Sequence, residues 1–267
     1  MTVLLSIMSN TNLKKRIVSY ISVLVLIFLF YIFVSYVYTH INKIDSYNEL
    51  STYIEDNPHL HIHEEKVESE FDYFSTSYLK DIKESFDGSV SVNNDLKGII
   101  AFSSKLLNKP VLQGSSNEYK NIDWISGSYS DFGSIYLDYR NGLEDKNMVI
   151  YGRYLSEKES DNRNLLFTQL DDLKEETNYK DNDVLCFYTS YSIVYYRVVS
   201  VYKDFKEDYY YDGIDEASFN EYKNKIRENE YYHVDIDYDY NNNFLTLVVE
   251  NNDEVVLCKE IGREYHE

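Results

Sequence analysis

The segment Gly133-Ser-Ile-Tyr-Leu-Asp-Tyr-Arg-Asn-Gly142, which runs on into Asp145-Lys-Asn-Met-Val-Ile-Tyr-Gly-Arg153, constrains the fold of this 267-residue chain more than any other. Two short runs of aliphatic and aromatic residues flank a polar turn, the pattern of two buried strands joined by a loop. The second run ends in Tyr151-Gly152 and delivers the side chain of Arg153 at a strand end, a place where functional groups are often held. Further strand-like segments lie at 98–102, 110–113, 184–189, 193–203, 244–249 and 254–261, and the pair just described predicts strands over 134–139 and 148–152. Apolar residues at helical spacing interrupt this series in three places. Val67, Phe71, Phe74, Tyr78, Ile82 and Phe86 share one face of a helix over 64–86, with Asp87-Gly88 as its stop. Leu165, Leu166, Leu170 and Leu173 mark a short helix over 161–174, and Phe219, Tyr222 and Ile226 mark another over 215–229. No internal repeat or low-complexity linker breaks the series. Residues 93–262 therefore read as one mainly β, barrel-like domain.

The run Ile17–Tyr38 holds 22 positions without a charge, close to the roughly 20 that a helix needs to cross a bilayer. No small-residue cleavage site follows it, and Lys14, Lys15 and Arg16 precede it directly. These cations predict a cytoplasmic N-terminus and an uncleaved signal anchor, with the rest of the chain outside. The expected division is a cytoplasmic N-terminus at 1–16, a transmembrane helix at 17–38, a stalk and N-terminal helices at 39–92, the barrel at 93–262, and a tail at 263–267. The formal net charge is -20, which argues against nucleic acid as a partner. Cysteines number only 2, too few for a disulfide-stapled scaffold. The 29 tyrosines suit a β-rich domain and are compatible either with biased codon usage or with a Tyr-lined interaction surface.

Several of these pieces, in this order, resemble the class B sortases, the membrane-anchored cysteine transpeptidases of Gram-positive bacteria. Asn94-Asp-Leu-Lys-Gly-Ile-Ile100 is similar to the family's opening strand and Lys109-Pro-Val-Leu-Gln113 to its next. Asn117-Glu-Tyr119 and Ser130-Asp-Phe-Gly-Ser-Ile-Tyr-Leu-Asp-Tyr-Arg-Asn141 are the most specific matches. The helix at 215–229, ahead of the penultimate strand, resembles the one that separates class B from other sortases. The resemblance covers roughly residues 94–261. It implies a sortase-like closed β-barrel with an N-terminal helical extension and an inserted helix, preceded by one transmembrane helix.

The resemblance also implies a mechanism, and the residues depart from it. A family cysteine attacks the carbonyl of a sorting-signal peptide, a histidine protonates the leaving amine, and an arginine stabilises the oxyanion. The histidine follows Tyr-Gly, where this chain has Arg153. The cysteine closes the strand matched by Leu245-Thr-Leu-Val-Val-Glu250, so Glu250 takes its place. The arginine precedes the Val-Val of the last strand, which aligns Asp253 with it. A carboxylate cannot form a thioester, a guanidinium keeps its proton near neutral pH, and an aspartate repels an oxyanion. Because Arg153 and Glu250 carry opposite charges, the sequence predicts an ion pair between them that fills the former active site, shared with Asp253.

Other residues offer no replacement chemistry. Cys186 and Cys258 fall inside strands and read as buried core residues, with a disulfide between them as the alternative. His233 reads as a surface residue at the start of a strand. His59, His61 and His63 alternate along an extended stretch, but no cysteine or carboxylate set completes a metal site. Residues 235–243 lack the glycine of a calcium loop, and their alternation predicts a strand with Asp on one face. No cofactor or metal is expected. The expected function is a catalytically inactive, sortase B-like binding or scaffolding module at the cell membrane, for protein anchoring or pilus assembly. Its expected partners are the membrane, a sorting-signal peptide, a surface or pilin-like protein, or an active sortase. The alternative is an active divergent transpeptidase or hydrolase.

Overall fold

A computed structural model describes residues 20–25, 27–34, 72–156, 166–206, 208–209 and 214–266. The chain divides into two units, Met1–Asn57 and Pro58–Glu267. In the first, residues 20–25 and 27–34 are helical, and their apolar side chains, Phe28 and Tyr31 among them, are exposed. No helix among the described residues is long and apolar enough to cross a membrane. The remainder of the uncharged run at 17–38 lies outside the described residues.

The second unit is built on eight strands: β1 (Leu96–Phe102), β2 (Asn108–Leu112), β3 (Tyr136–Leu137), β4 (Asn147–Arg153), β5 (Val184–Tyr188), β6 (Ser192–Lys203), β7 (Phe244–Glu250) and β8 (Glu254–Tyr265). They close into a barrel in the order β1-β2-β3-β4-β7-β8-β6-β5. Closure leaves no free edge along which other chains could pair. Every residue of β5 and nearly every residue of β6 and β7 is buried. Strands covered on both faces lose the apolar–polar alternation of a half-exposed sheet, which is why these segments read as continuous apolar runs. Most pairings are antiparallel, whereas β2–β3 and β4–β7 are parallel.

Among the described residues, two helices longer than three turns pack on the barrel. In α1 (Thr76–Val92), Ser75 caps the N-terminus by accepting from the Tyr78 amide at 3.3 Å. Tyr78, Ile82 and Phe86 recur at four-residue spacing and are buried, and Phe86 meets the ring of Tyr188 in β5 at 5.5 Å. In α2 (Glu216–Asn229), Asp215 is the N-cap and accepts from Ser218 N at 2.8 Å. Its face of Phe219, Tyr222 and Ile226 joins a core cluster with Val149 of β4, Tyr202 of β6 and Phe244 and Val248 of β7. Phe219 stacks on Phe244 at 5.4 Å. Burying each such side chain contributes about 1.5–3 kcal/mol, so α2 is held mainly by its apolar stripe to the face of β4 and β7 that carries Val149 and Val248.

Several expectations are sharpened or corrected. Of the helix expected over 64–86, residues 64–71 lie outside the described residues and 72–75 are not helical, so the helix begins at Thr76 and runs to Val92. The strand expected at 134–139 shortens to two residues, because Asn141 N donates to Asp138 O at 3.0 Å and turns the chain. The helix expected at 161–174 is described from residue 166 and is a 3-10 helix over Thr168–Lys174, with Leu170 and Leu173 buried. The last strand continues to Tyr265, beyond the expected barrel end at 262. No strand forms over 235–243. Asp235, Asp237 and Asp239 are exposed and Val234 and Tyr238 buried, so the alternation is real. Both edges of β7 are already occupied by β4 and β8, which leaves the segment no ladder to join.

Candidate functional site at the ends of β4 and β7

The parallel β4–β7 pair runs in register from Asn147↔Phe244 to Arg153↔Glu250. Arg153 and Glu250 are thus direct neighbours at the two strand ends, and Tyr154 N extends the ladder by donating to Glu250 O at 2.8 Å. Side chains two residues apart on a strand share a face. Tyr151 and Val248 therefore lie on the same face, one step in from Arg153 and Glu250, and Tyr136 of β3 pairs with Tyr151.

The predicted Arg153–Glu250 ion pair is not formed. The Arg153 guanidinium donates to the carbonyl of Asp131, to the carbonyl of Lys120 at 3.2 Å and to Asn121 Oδ1 at 3.5 Å. Gly133 shapes this receiving loop. Its φ of +65° and its approach to Lys120 O, where a Cβ would lie at 2.1 Å, exclude other residues without distortion. Glu250 instead pairs with Lys120 Nζ at 2.8 Å and accepts from the Tyr136 hydroxyl at 3.4 Å. Register brings the two strand ends together. The loop at 118–133 then takes each charge separately, the arginine on its carbonyls and the carboxylate on its lysine.

Asp253 does not join them. It sits in the β7–β8 turn at φ +47° and pairs with Lys206 Nζ at 2.5 Å, while Lys206 also holds Asp204 at 2.8 Å. The lysine keeps the Asp253 carboxyl below its usual range.

A second polar group lies along the same face. Asp138 is fully buried and is gripped by Arg140, whose Nε and Nη2 each donate at 2.9 Å. Burial pushes the Asp138 carboxyl up, but the Arg140 hydrogen bonds outweigh this and hold it below the usual range. Arg140 also reaches Asp208 at 2.6 Å, and Tyr151 donates to Asp138 at 3.3 Å. The rings of Tyr136 and Tyr151 stack at 5.2 Å. Both hydroxyls are pushed well above the ordinary tyrosine value by burial, reinforced by Glu250 for Tyr136 and by Asp138 for Tyr151. Sequence reasoning missed Lys120, Tyr136 and the Asp138–Arg140 pair. Lys120 directly follows the Asn117-Glu-Tyr119 match, but no spacing rule links it to a residue so far along the chain.

The remaining candidates fall elsewhere. Cys186 and Cys258 are free thiols buried in β5 and β8, each pushed well above its usual value by desolvation. Such thiols are poor nucleophiles. The His233 side chain is 60% exposed and lies 3.4 Å from Glu230. His59, His61 and His63 lie outside the described residues. Among the described residues no group of three His, Cys, Asp or Glu side chains is placed to hold a metal ion.

No family model matches the chain. It is 26% identical over 206 residues to sortase B of Staphylococcus aureus, covering 75% of this chain and 81% of that protein. Among solved structures, a sortase B–substrate complex from S. aureus superimposes with a TM-score of 0.57 at 23% identity, over 72% of this chain and 90% of that one. A Streptococcus pyogenes class B sortase involved in pilus biogenesis gives 0.55 at 23% identity, over 67% and 97%. The protein similar to sortase B from Bacillus anthracis gives 0.56 at 22% identity, over 68% and 83%.

Proposed function

We infer that this chain, a member of the class B sortase family, is an inactive, membrane-anchored relative that binds peptide at the cell surface without transferring it. One observation carries the reading. Arg153 and Glu250 are register partners at the adjoining ends of β4 and β7, which are the positions where the family's motifs place histidine and cysteine. With these side chains, proton exchange and thioester formation are both lost. The position matched to the family arginine carries Asp253, whose partner is Lys206. No thiol among the described residues can stand in, since both are buried in strands away from this end.

A binding role is supported by the likeness to a sortase B solved with a substrate and by the stacked Tyr136 and Tyr151 beside the site. Anchoring is supported by the uncharged run at 17–38 behind Lys14, Lys15 and Arg16. The test uses the full chain in detergent with a fluorogenic sorting peptide and an amine acceptor. The expected result is saturable peptide binding with no turnover above a boiled control. A Glu250→Cys/Arg153→His/Asp253→Arg variant serves as the comparison. Turnover by the unaltered chain overturns the inactive reading and leaves the divergent enzyme in its place.

A further inference from the structure

Glu250 has one oxygen committed and one open. Its Oε1 forms an ion pair with Lys120 Nζ and accepts from the Tyr136 hydroxyl, whereas Oε2 takes no hydrogen bond from any described residue. The partners are unequal. The Glu250 side chain is 14% exposed and fixed at the end of β7, while the Lys120 side chain is 50% exposed and projects from a single 3-10 turn, Glu118–Asn121. A half-exposed lysine gains little from such a pair and gives up rotamer freedom to make it. A largely buried carboxylate left without a cation or donor is costly. Glu250 therefore calls for an ammonium group, and Lys120 supplies one that is readily replaced. Arg153, the closest cation in register, is turned away from Glu250, because its two Nη groups donate to the loop carbonyls and Asn121. The stacked rings of Tyr136 and Tyr151 adjoin the carboxylate. An anion beside aromatic faces suits an ammonium head on an alkyl stem.

We propose that Glu250 and Tyr136 form a receptor for a lysine side chain of a partner polypeptide, with Lys120 as the internal occupant that the partner's ammonium displaces. This rests on the reading that the site binds peptide rather than turning it over, and adds that the group received is a cation. Calorimetric titration of the full chain in detergent at low salt tests it, with the peptide acetyl-Gly-Lys-Gly-amide and its Nζ-acetylated form as probes. The unmodified peptide is expected to bind and the acetylated one not. Lys120→Gln removes the competing ammonium and is expected to tighten binding about fivefold, the scale of one exposed ion pair. Glu250→Gln is expected to abolish binding, and Glu250→Asp to restore part of it. Equal binding of the acetylated peptide, unchanged or weaker binding by Lys120→Gln, or full binding by Glu250→Gln each overturns the proposal. Lys120→Gln alters an exposed side chain, so loss of fold does not cloud that arm. A chain that binds the sorting peptide but not the lysine peptide loses this proposal alone, whereas turnover of the sorting peptide removes the reading beneath it.

Discussion

Glu254 carries its carboxyl to a position closed to water. It is fully buried at the start of β8, and its Oε1 has no hydrogen-bond partner. Asn252 donates to Oε2 at 3.2 Å and Lys174 Nζ stands 3.6 Å away, drawn off by Asp171 at 2.6 Å. Burial pushes the carboxyl from 4.5 up to about 8, with Lys174 opposing. Between pH 4.5 and 8 the folded chain keeps a proton that the unfolded chain has lost. This group's contribution to stability therefore falls as pH rises through that window and levels off above it. Glu254→Gln should raise Tm at about pH 8.5 and change it little at about pH 5, read as the difference from the parent chain in scans at the two pH values. A pH-independent difference would show that Glu254 is not the titrating group. Arg153 admits a second test at this scale. Its donors tie the end of β4 to the loop at 120–131, so Arg153→Ala should cost about 1–3 kcal/mol. It should also speed amide exchange at Asp123 and Ser130, whose amides bond across that loop. Unchanged exchange at these amides would mean that the loop holds itself.

Among the elements, α2 and the β4–β7 pair matter most, because one supports the other. Ile226 is 1% exposed within the cluster that packs on β4 and β7, and Ile226→Ala should destabilise by about 2–5 kcal/mol in a denaturant titration. Asp215→Ala, which removes only the cap of the same helix, should cost about 1 kcal/mol. If the two changes cost the same, packing does not dominate α2. The stripe of Phe219, Tyr222 and Ile226 was legible because helical period and burial are local properties that neighbours can only reinforce. The strand ends at Arg153 and Glu250 were legible for a related reason, since apolar runs stop where a sheet stops. The partner of Glu250 was not. Lys120 arrives from a loop whose path depends on Gly133 and on closure of the whole barrel, and nothing local encodes that meeting. The Asp235–Asp239 segment misled in the opposite sense: its alternation set which side chains face water, but whether a strand forms depends on a vacant edge elsewhere.

At the scale of the molecule, the net charge of -20 should draw cationic partners toward the chain at low ionic strength and lose that pull as salt rises. Anchoring is tested at the same scale. The full chain should remain with membranes through an alkaline wash, and a Phe28→Arg/Leu29→Arg variant should be released, since each arginine at the centre of a span costs about 2.5–3.5 kcal/mol. Retention of the variant would place the anchor elsewhere. The parallel pairing of β4 with β7 also has a consequence in time. Between these strands the chain makes β5, β6 and α2, so β4 offers an unpaired edge until nearly the whole domain has been synthesised. Long-range parallel pairing closes slowly, and an open edge invites other strands. Arg153 and Glu250 can become neighbours only after β7 has been made, and a chain truncated before β7 carries a sticky edge where these two residues should meet.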